Sequence, residues 1–435
     1  MRLGAVADDV TGACDLAGRV AAAGLPASVL LGTPATHTAA PPFPTDGPGC
    51  AVVALTVRTA PVERAVAESA AAARFLAATG ATQLYQKYCS TFDSTPSGNI
   101  GPIADALAAV AGATATIGTP ATPEAGRRQY QGTLFVDGVP LAESPMRDHP
   151  LTPMRDSDLT RLLSPQTREP VGLIRWEDVR RGPEAVPTAV QDGHTLVDAL
   201  TEDDLDVIAE AVLRLSEDGS MVAGGGAGLA TALARVATRA DGPDAPRREA
   251  AALPAVPVTG RLILAGSASA ATRGQVAAFG GERHLLDPLE LARDDGALGR
   301  LRDALAARDD HRTPVLVHAS ADVAAAQRGL GAERAARLLE EALADLAAFA
   351  VHELGYSHLL VAGGETSGAV TGRLGISRLR IGAQAAPGVP WAVATTGRSG
   401  ESDADGDGGR TVAVLLKSGN FGGPTLFRDA WEVAP

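Results

Sequence analysis

Cysteine is nearly absent from this 435-residue chain: Cys14, Cys50 and Cys89 are the only three, and no two form a CxxC pair. That usage excludes a disulfide framework, speaks against a cysteine-built zinc site and fits a reducing compartment. The 8 histidines are scattered without HExxH or comparable spacing, which removes the usual zinc catalysts. No uninterrupted apolar run approaches the ~20 residues of a membrane-spanning helix. No cationic stretch leading into a long apolar one precedes Leu3–Ala7, so no signal peptide is expected and the chain reads as soluble and cytoplasmic. Basic charge is also in deficit. The formal net charge of −13 disfavours a nucleic-acid partner, although an acidic protein can still hold a locally positive site for an anion. Aromatics make up only 3% of the residues, while the hydrophobic fraction of 45% is that of an ordinary globular protein.

What is present is an alternation. The length favours two domains. Leu3–Ala7, Ala27–Leu31, Ala51–Leu55, Gln83–Lys87 and Thr114–Gly118 read as strands, with helices across Gly12–Ala23 and Pro61–Ala78. Strands alternating with helices imply an α/β domain with a mainly parallel sheet. The rhythm breaks in an irregular stretch, Pro120–Arg155, and resumes at Gly172–Trp176, Thr195–Val197 and Met221–Ala223. A Pro-rich polar stretch over 240–259 is the expected linker, dividing a substrate domain (1–239) from a nucleotide domain (260–435). The second series has strands at Arg261–Ala265, Pro314–Val317 and His358–Ala362, with a long helix near Glu333–Leu354. Trp391–Ala394 and Thr411–Leu416 then bracket a low-complexity insertion, Gly397–Arg410.

The segment Tyr85–Gly101 is the most informative in the chain. It carries Lys87, Asp93, Ser94, Thr95, Ser97 and Asn99, more polar groups than a core strand can satisfy. A pocket for a small, oxygen-rich anion would use them; a Ser/Thr-rich turn capping a helix is the plainer reading. At the amino terminus, Asp8, Asp9, Thr11 and Asp15 crowd one strand-to-helix turn. Such an edge is where α/β sheets bind ligands, though Asp9 or Thr11 would also serve as a helix cap. Three glycine-hydroxyl turns mark the second half: Gly266-Ser267-Ala268-Ser269, Gly363-Gly364-Glu365-Thr366-Ser367-Gly368 and Lys417-Ser418-Gly419-Asn420-Phe421-Gly422. Backbone N–H groups at such turns suit phosphate oxygens, but none is the G-x-x-x-x-G-K-[ST] loop of Walker NTPases. Two weaker signals are set aside. Asp403–Gly408 mimics an EF-hand start whose bidentate position would fall on Val414, and Gly224–Leu229 lacks the third glycine of a dinucleotide fingerprint.

Ala7-Asp8-Asp9-Val10-Thr11-Gly12-Ala13-Cys14-Asp15, Leu55-Thr56-Val57-Arg58-Thr59-Ala60-Pro61 and the Lys87–Gly101 segment resemble the motifs of the four-carbon acid sugar kinase family, in its 3-oxo-tetronate kinase branch. Gly126-Arg127, the Ser144–Met154 stretch with Arg147 and His149, and the three glycine turns look like family segments as well. Ser97 stands where related chains often carry a basic residue, and Ala227 replaces a hydroxyl. The resemblance implies two α/β domains with mainly parallel sheets facing a shared cleft, brought together by closure. It implies ATP-dependent phosphorylation of the terminal hydroxyl of 3-oxo-tetronate, with Mg²⁺ accompanying the nucleotide. A reduced acid such as threonate or erythronate, or binding without catalysis, are the alternatives. Asp9, Asp8, Asp93 and Lys87 would then be catalytic, with Asp9 the first choice of base. Arg58 would grip the acid end, and Thr11, Asp15, Ser94, Thr95 and Asn99 would complete the substrate site. Ser267, Gly363, Gly364, Glu365, Thr366, Ser418, Gly419 and Asn420 would bind the nucleotide, Glu365 holding Mg²⁺ through water, with no protein-built metal site. The expected partners are the sugar acid and ATP, with room for a homo-oligomer and none for nucleic acid or membrane.

Overall fold

Short runs of small and β-branched residues become strands wherever both of their faces can be covered. In the computed structural model, which describes residues 1–32, 42–44, 47–148, 152–216, 221–239, 253–319, 328–397 and 409–435, they build two units, Met1–Ala250 and Ala251–Pro435. Most of the expected linker, the core of the insertion and His149 lie outside the described residues. No helix among the described residues is long and apolar enough to cross a membrane.

The first unit contains β1 (Arg2–Ala7), β2 (Ala27–Leu31), β3 (Gly49–Ala54), β4 (Gln83–Lys87), β5 (Ala115–Thr119), β6 (Arg127–Tyr130), β7 (Thr133–Val136), β8 (Val139–Pro140), β9 (Val171–Ile174), β10 (Gly193–Val197) and β11 (Met221–Gly225). Eight of them form a sheet in the order β2-β3-β1-β4-β11-β5-β10-β9, with every pairing parallel. β3 and β4 flank β1 on opposite sides, so the connections diverge there and leave a crevice at the carboxyl ends of these strands. Helix Val10–Ala22 begins two residues earlier than its apolar pattern suggests, because Asp9 caps it and accepts a hydrogen bond from the Gly12 amide. Helix Val62–Ala78 turns Ala65, Ala72, Ala73 and Leu76 into the core. Alanine faces let helices approach closely, which is how a chain poor in aromatics packs.

The stretch expected to be irregular is instead a three-stranded antiparallel sheet, β6-β7-β8. Its two turns, Gln131-Gly132 and Asp137-Gly138, have φ of 52°, 72°, 50° and 88° in that order. Two successive left-handed residues make the hairpin turn that matches strand twist, and Asp-Gly is its sequence signal. Leu134, Val136, Leu141 and Met154 from this sheet and its flank pack with Tyr88, Phe92 and Ile100. The small sheet thereby buttresses the polar segment that follows β4.

The second unit contains β12 (Arg261–Ala265), β13 (Arg283–Leu286), β14 (Val315–Ala319), β15 (His358–Ala362), β16 (Arg378–Ala386), β17 (Val389–Thr395) and β18 (Thr411–Lys417). The order is β13-β14-β12-β15-β18-β17-β16. The first five are parallel, and β17 and β16 add on antiparallel. β13 and β16 were not expected from the sequence. Both carry arginines among their apolar residues, and such short mixed runs read as polar loops. Trp391 is fully buried, its indole N–H donating to Ala430 O at 2.8 Å.

Candidate active site

In the first unit β1, β3 and β4 end side by side, and each sends polar residues over the edge. Asp8 is clamped by its own backbone, donating to Lys87 O at 3.1 Å and accepting from Val57 N at 3.1 Å. Arg58 leaves the turn after β3 and meets Asp8 as a fork, Nε to Oδ2 at 2.8 Å and Nη2 to Oδ1 at 2.9 Å. Nη2 also lies 2.7 Å from Asp9 Oδ2, and Nη1 lies 3.9 Å from Asp93 Oδ2. Three carboxylates therefore share one guanidinium. Nε and Nη2 are thus engaged with Asp8 and Asp9, so Arg58 organises these carboxylates, and the end of its fork that remains for an acid is Nη1, on the Asp93 side.

Asp9 is likewise engaged. It accepts from the Gly12 amide, lies against Arg58 and receives Thr11 Oγ1 at 3.5 Å. Burial alone would push its carboxyl up, but Arg58, Lys87 and the Gly12 hydrogen bond together hold it below the ordinary aspartate value. A carboxylate held low is a poor proton acceptor, so Asp9 suits a positioning role better than that of base. Asp93, reached through a turn in which buried Phe92 takes φ of 53°, accepts from Thr91 Oγ1 at 2.6 Å through Oδ1. A bulky residue in that left-handed region is strained and persists only where its surroundings fix it. Here the fixing comes from the β6–β8 cluster, which holds the Phe92 ring.

Lys87 is the cation left over. It is 3% exposed, its ammonium donates to Tyr88 O at 2.8 Å, and it lies 3.1 Å from where a Cβ on Gly12 would stand. No ion pair reaches it among the described residues. Other expected substrate residues have partners within the protein. Asp15 is paired with Arg19 at 2.6 Å within its helix. Asn99 Nδ2 donates to Val57 O at 2.7 Å, Ala60 O at 2.9 Å and Arg58 O at 3.3 Å, holding the turn that aims Arg58. Gln166 Nε2 holds Ser94 Oγ and Thr95 O, each at 2.9 Å. Arg147 donates to Ala142 O at 3.2 Å on an exposed surface, and Arg127 lies 3.7 Å from Asp137.

In the second unit the three glycine turns leave adjacent strands, β12, β15 and β18, and interlock. Gly266 N and Ser267 N both donate to Ala362 O at 3.1 Å, and Gly363 N donates to Lys417 O at 2.9 Å. Gly363, at φ 134°, precedes helix Gly364–Arg373, which has no side-chain cap. In its first turn Thr366 is buried and Glu365 is exposed. Ser269 Oγ and Thr272 Oγ1 donate to Gly419 O at 2.6 and 2.8 Å. Gly419 has no room for a side chain, since a Cβ would stand 2.2 Å from Ser267 Oγ. Ser418 is half-buried and Asn420 exposed in the same loop. Thr272 and Gln275, three residues apart on the buried face of helix Ala270–Ala278, complete this edge and were missed from the sequence. A polar pair at that spacing in an alanine-rich helix was the only available signal.

Two family models match the chain in order, a sugar-binding N-terminal domain over residues 3–233 and a nucleotide-binding C-terminal domain over residues 262–427. The 3-oxo-tetronate kinase of Cupriavidus necator is 42% identical over 440 residues, covering 98% of this chain and 96% of that protein. The chain belongs to the 3-oxo-tetronate kinases, in the four-carbon acid sugar kinase family. Another member so named, from Methylobacterium radiotolerans, is 43% identical over 449 residues, covering 100% of this chain and 99% of its own. Among solved structures, a Salmonella typhimurium LT2 protein with a provisional tRNA-synthase name is 33% identical at a TM-score of 0.81, with full coverage of both chains. Haemophilus influenzae protein HI1011 is 33% identical at 0.73, with 99% of each chain covered. The two sites just described fall inside the two family matches: the carboxylate cluster in the sugar-binding one, the interlocked turns in the nucleotide-binding one.

Proposed function

We propose that this chain transfers the γ-phosphoryl group of ATP to the terminal hydroxyl of 3-oxo-tetronate, giving the 4-phosphate. The observation that carries this reading is the pairing, on one chain, of a carboxylate–lysine site at one sheet edge with a phosphate-suited set of turns at another. In the first site Lys87 faces the anionic end of the acid, while Asp8, Asp9 and Asp93 accept hydrogen bonds from its hydroxyls. Asp9 has Arg58 and the Gly12 amide on it, whereas Asp93 stands 3.9 Å from that guanidinium, so Asp93 is the residue placed to take the proton. Phosphoryl transfer is mostly positioning and charge neutralisation, so a weak base suffices. In the second site the amides of Gly364, Glu365 and Thr366 and the Ser418–Asn420 turn cradle the phosphates, with Ser267 beside them.

Among the described residues no group of three or more carboxylate, histidine or cysteine side chains could hold a metal ion. Mg²⁺ would arrive on the triphosphate, with Glu365 reaching it through water, since Mg²⁺ favours phosphates and waters over protein cages. When bound it would neutralise developing charge on the transferring group. A tRNA substrate is disfavoured by the net charge of −13.

Incubation with Mg-ATP and a panel of both 3-oxo-tetronate enantiomers, threonate and erythronate, following ADP and product mass, tests the reading. Phosphorylation of an oxo acid alone is expected; turnover restricted to the reduced acids would overturn the substrate. Gly419→Ala forces a methyl into Ser267 Oγ. It should raise KM for ATP about tenfold or more through overpacking, with KM for the acid unchanged.

A further inference from the structure

The chain has two lysines, Lys87 and Lys417, against 36 arginines. Both end a strand at a candidate site, and they are 3% and 0% exposed. Arginine serves at every other basic position, so these two places require what a guanidinium lacks: a compact charge with tetrahedral donors. At Lys417 the requirement is visible. Nζ donates to Thr272 Oγ1 and Gln275 Oε1 at 2.9 Å and to Gly419 O at 3.1 Å. Three acceptors gathered around one point match an ammonium and not a planar fork. Gln275 then carries the arrangement along the loop, its Nε2 lying 3.0, 3.0 and 3.1 Å from the carbonyls of Phe421, Gly422 and Gly423.

All of these acceptors are neutral. The other titratable or charged side chains on the elements packed around Lys417 are His358, Glu365, Arg373, Arg273, Arg428 and Asp429. His358 is at the far end of β15, its Nε2 3.2 Å from Pro435 O. Arg373 is paired with Asp345, Arg428 with Asp429, and Arg273 is bonded to Ala268 O. Glu365 is exposed. No ion pair reaches Lys417 among the described residues.

We propose that Lys417 is a positioning residue of the nucleotide site, latched through Thr272 and Gln275 so that its ammonium shapes the Ser418–Gly423 loop and supplies that loop's uncompensated positive charge to a bound triphosphate. The inference rests on the nucleotide-site reading above. Burial alone pushes the Lys417 ammonium down to about 7. A polyanion beside it favours the charged form, so nucleotide binding and protonation of Lys417 are linked and each strengthens the other.

The scarcity of lysine makes the test direct. Labelling with ¹³Cε-lysine gives two resonances, and Lys417→Met assigns them by deleting one; if that variant does not fold, Lys87→Met serves by the same subtraction. The Lys417 resonance should titrate near neutrality and move up by about one pH unit with saturating Mg²⁺ and a non-hydrolysable ATP analogue. KM for ATP should rise about tenfold across the same limb while KM for the acid stays flat, and Lys417→Met should abolish the limb. A Lys417 resonance that titrates above about 9 with and without nucleotide, or a midpoint that nucleotide does not move, overturns the proposal. If the acid panel shows no turnover but the nucleotide still moves the midpoint, the proposed reaction fails and the Lys417 inference stands.

Discussion

Replacing Lys87 with methionine should lower kcat/KM for the sugar acid about a thousandfold, or about 4 kcal/mol, with KM for ATP little changed. The size follows from the surroundings. The ammonium is buried and donates to one carbonyl, leaving two N–H groups for an anion in a site whose other cation is already shared among three aspartates. Removing it leaves carboxylates facing a carboxylate, and like charges at close range are strongly unfavourable. Lys87→Arg should not rescue activity, because the ammonium already stands 3.1 Å from the space beside Gly12 and a guanidinium is wider. Steady-state kinetics with both substrates varied would check this; a Lys87→Met enzyme within tenfold of the parent would place the acid-binding cation elsewhere.

Arg58→Met should destabilise the first unit by about 3 kcal/mol. Arg58 is 24% exposed at its side chain and Asp8 9%, so the pair is partly screened and the upper range for buried pairs does not apply. The methionine would leave Asp8, Asp9 and Asp93 together without their common counter-charge. The effect on Asp9 has a definite sign. Its carboxyl is held below the ordinary value in the folded chain, so it contributes stability above its unfolded value and loses it as pH falls through the folded one. Without Arg58 the burial contribution gains weight and Asp9 moves up, so the destabilisation it causes near neutrality is relieved as pH falls and the carboxyl is protonated in the folded chain, while the parent gains nothing from that relief. Denaturant unfolding at pH 7 and pH 5 would show a gap between parent and variant that narrows on acidification. A gap independent of pH would mean the cluster is not held by Arg58.

Much of the first site was legible because its residues cluster in sequence. Asp8 and Asp9 end one apolar run, Arg58 follows another, and Lys87 ends a third; in a parallel α/β sheet those ends lie together. Their division of labour was not legible. A sequence shows that an arginine and three aspartates come near one edge, but not that the aspartates take up the guanidinium. Asp15, Ser94 and Asn99 sit inside the right motifs, yet they face Arg19, Gln166 and three backbone carbonyls. Thr272 and Gln275 were out of reach for the opposite reason, since an alanine-rich helix gives no local hint of which face meets the Gly419 loop.

By itself the sequence determined the α/β class, the parallel core strands, the order of the two family domains and the turns that carry the polar residues. Those properties rest on local periodicity and on glycine and hydroxyl placement, which each segment carries with it. Only the tertiary structure decided which cations stay available. Arg58 pairs with aspartates 50 and 35 positions away, while Lys87 and Lys417 form no ion pair among the described residues. Charge availability depends on distance and dielectric in three dimensions, and neither is written in the spacing of residues along a chain.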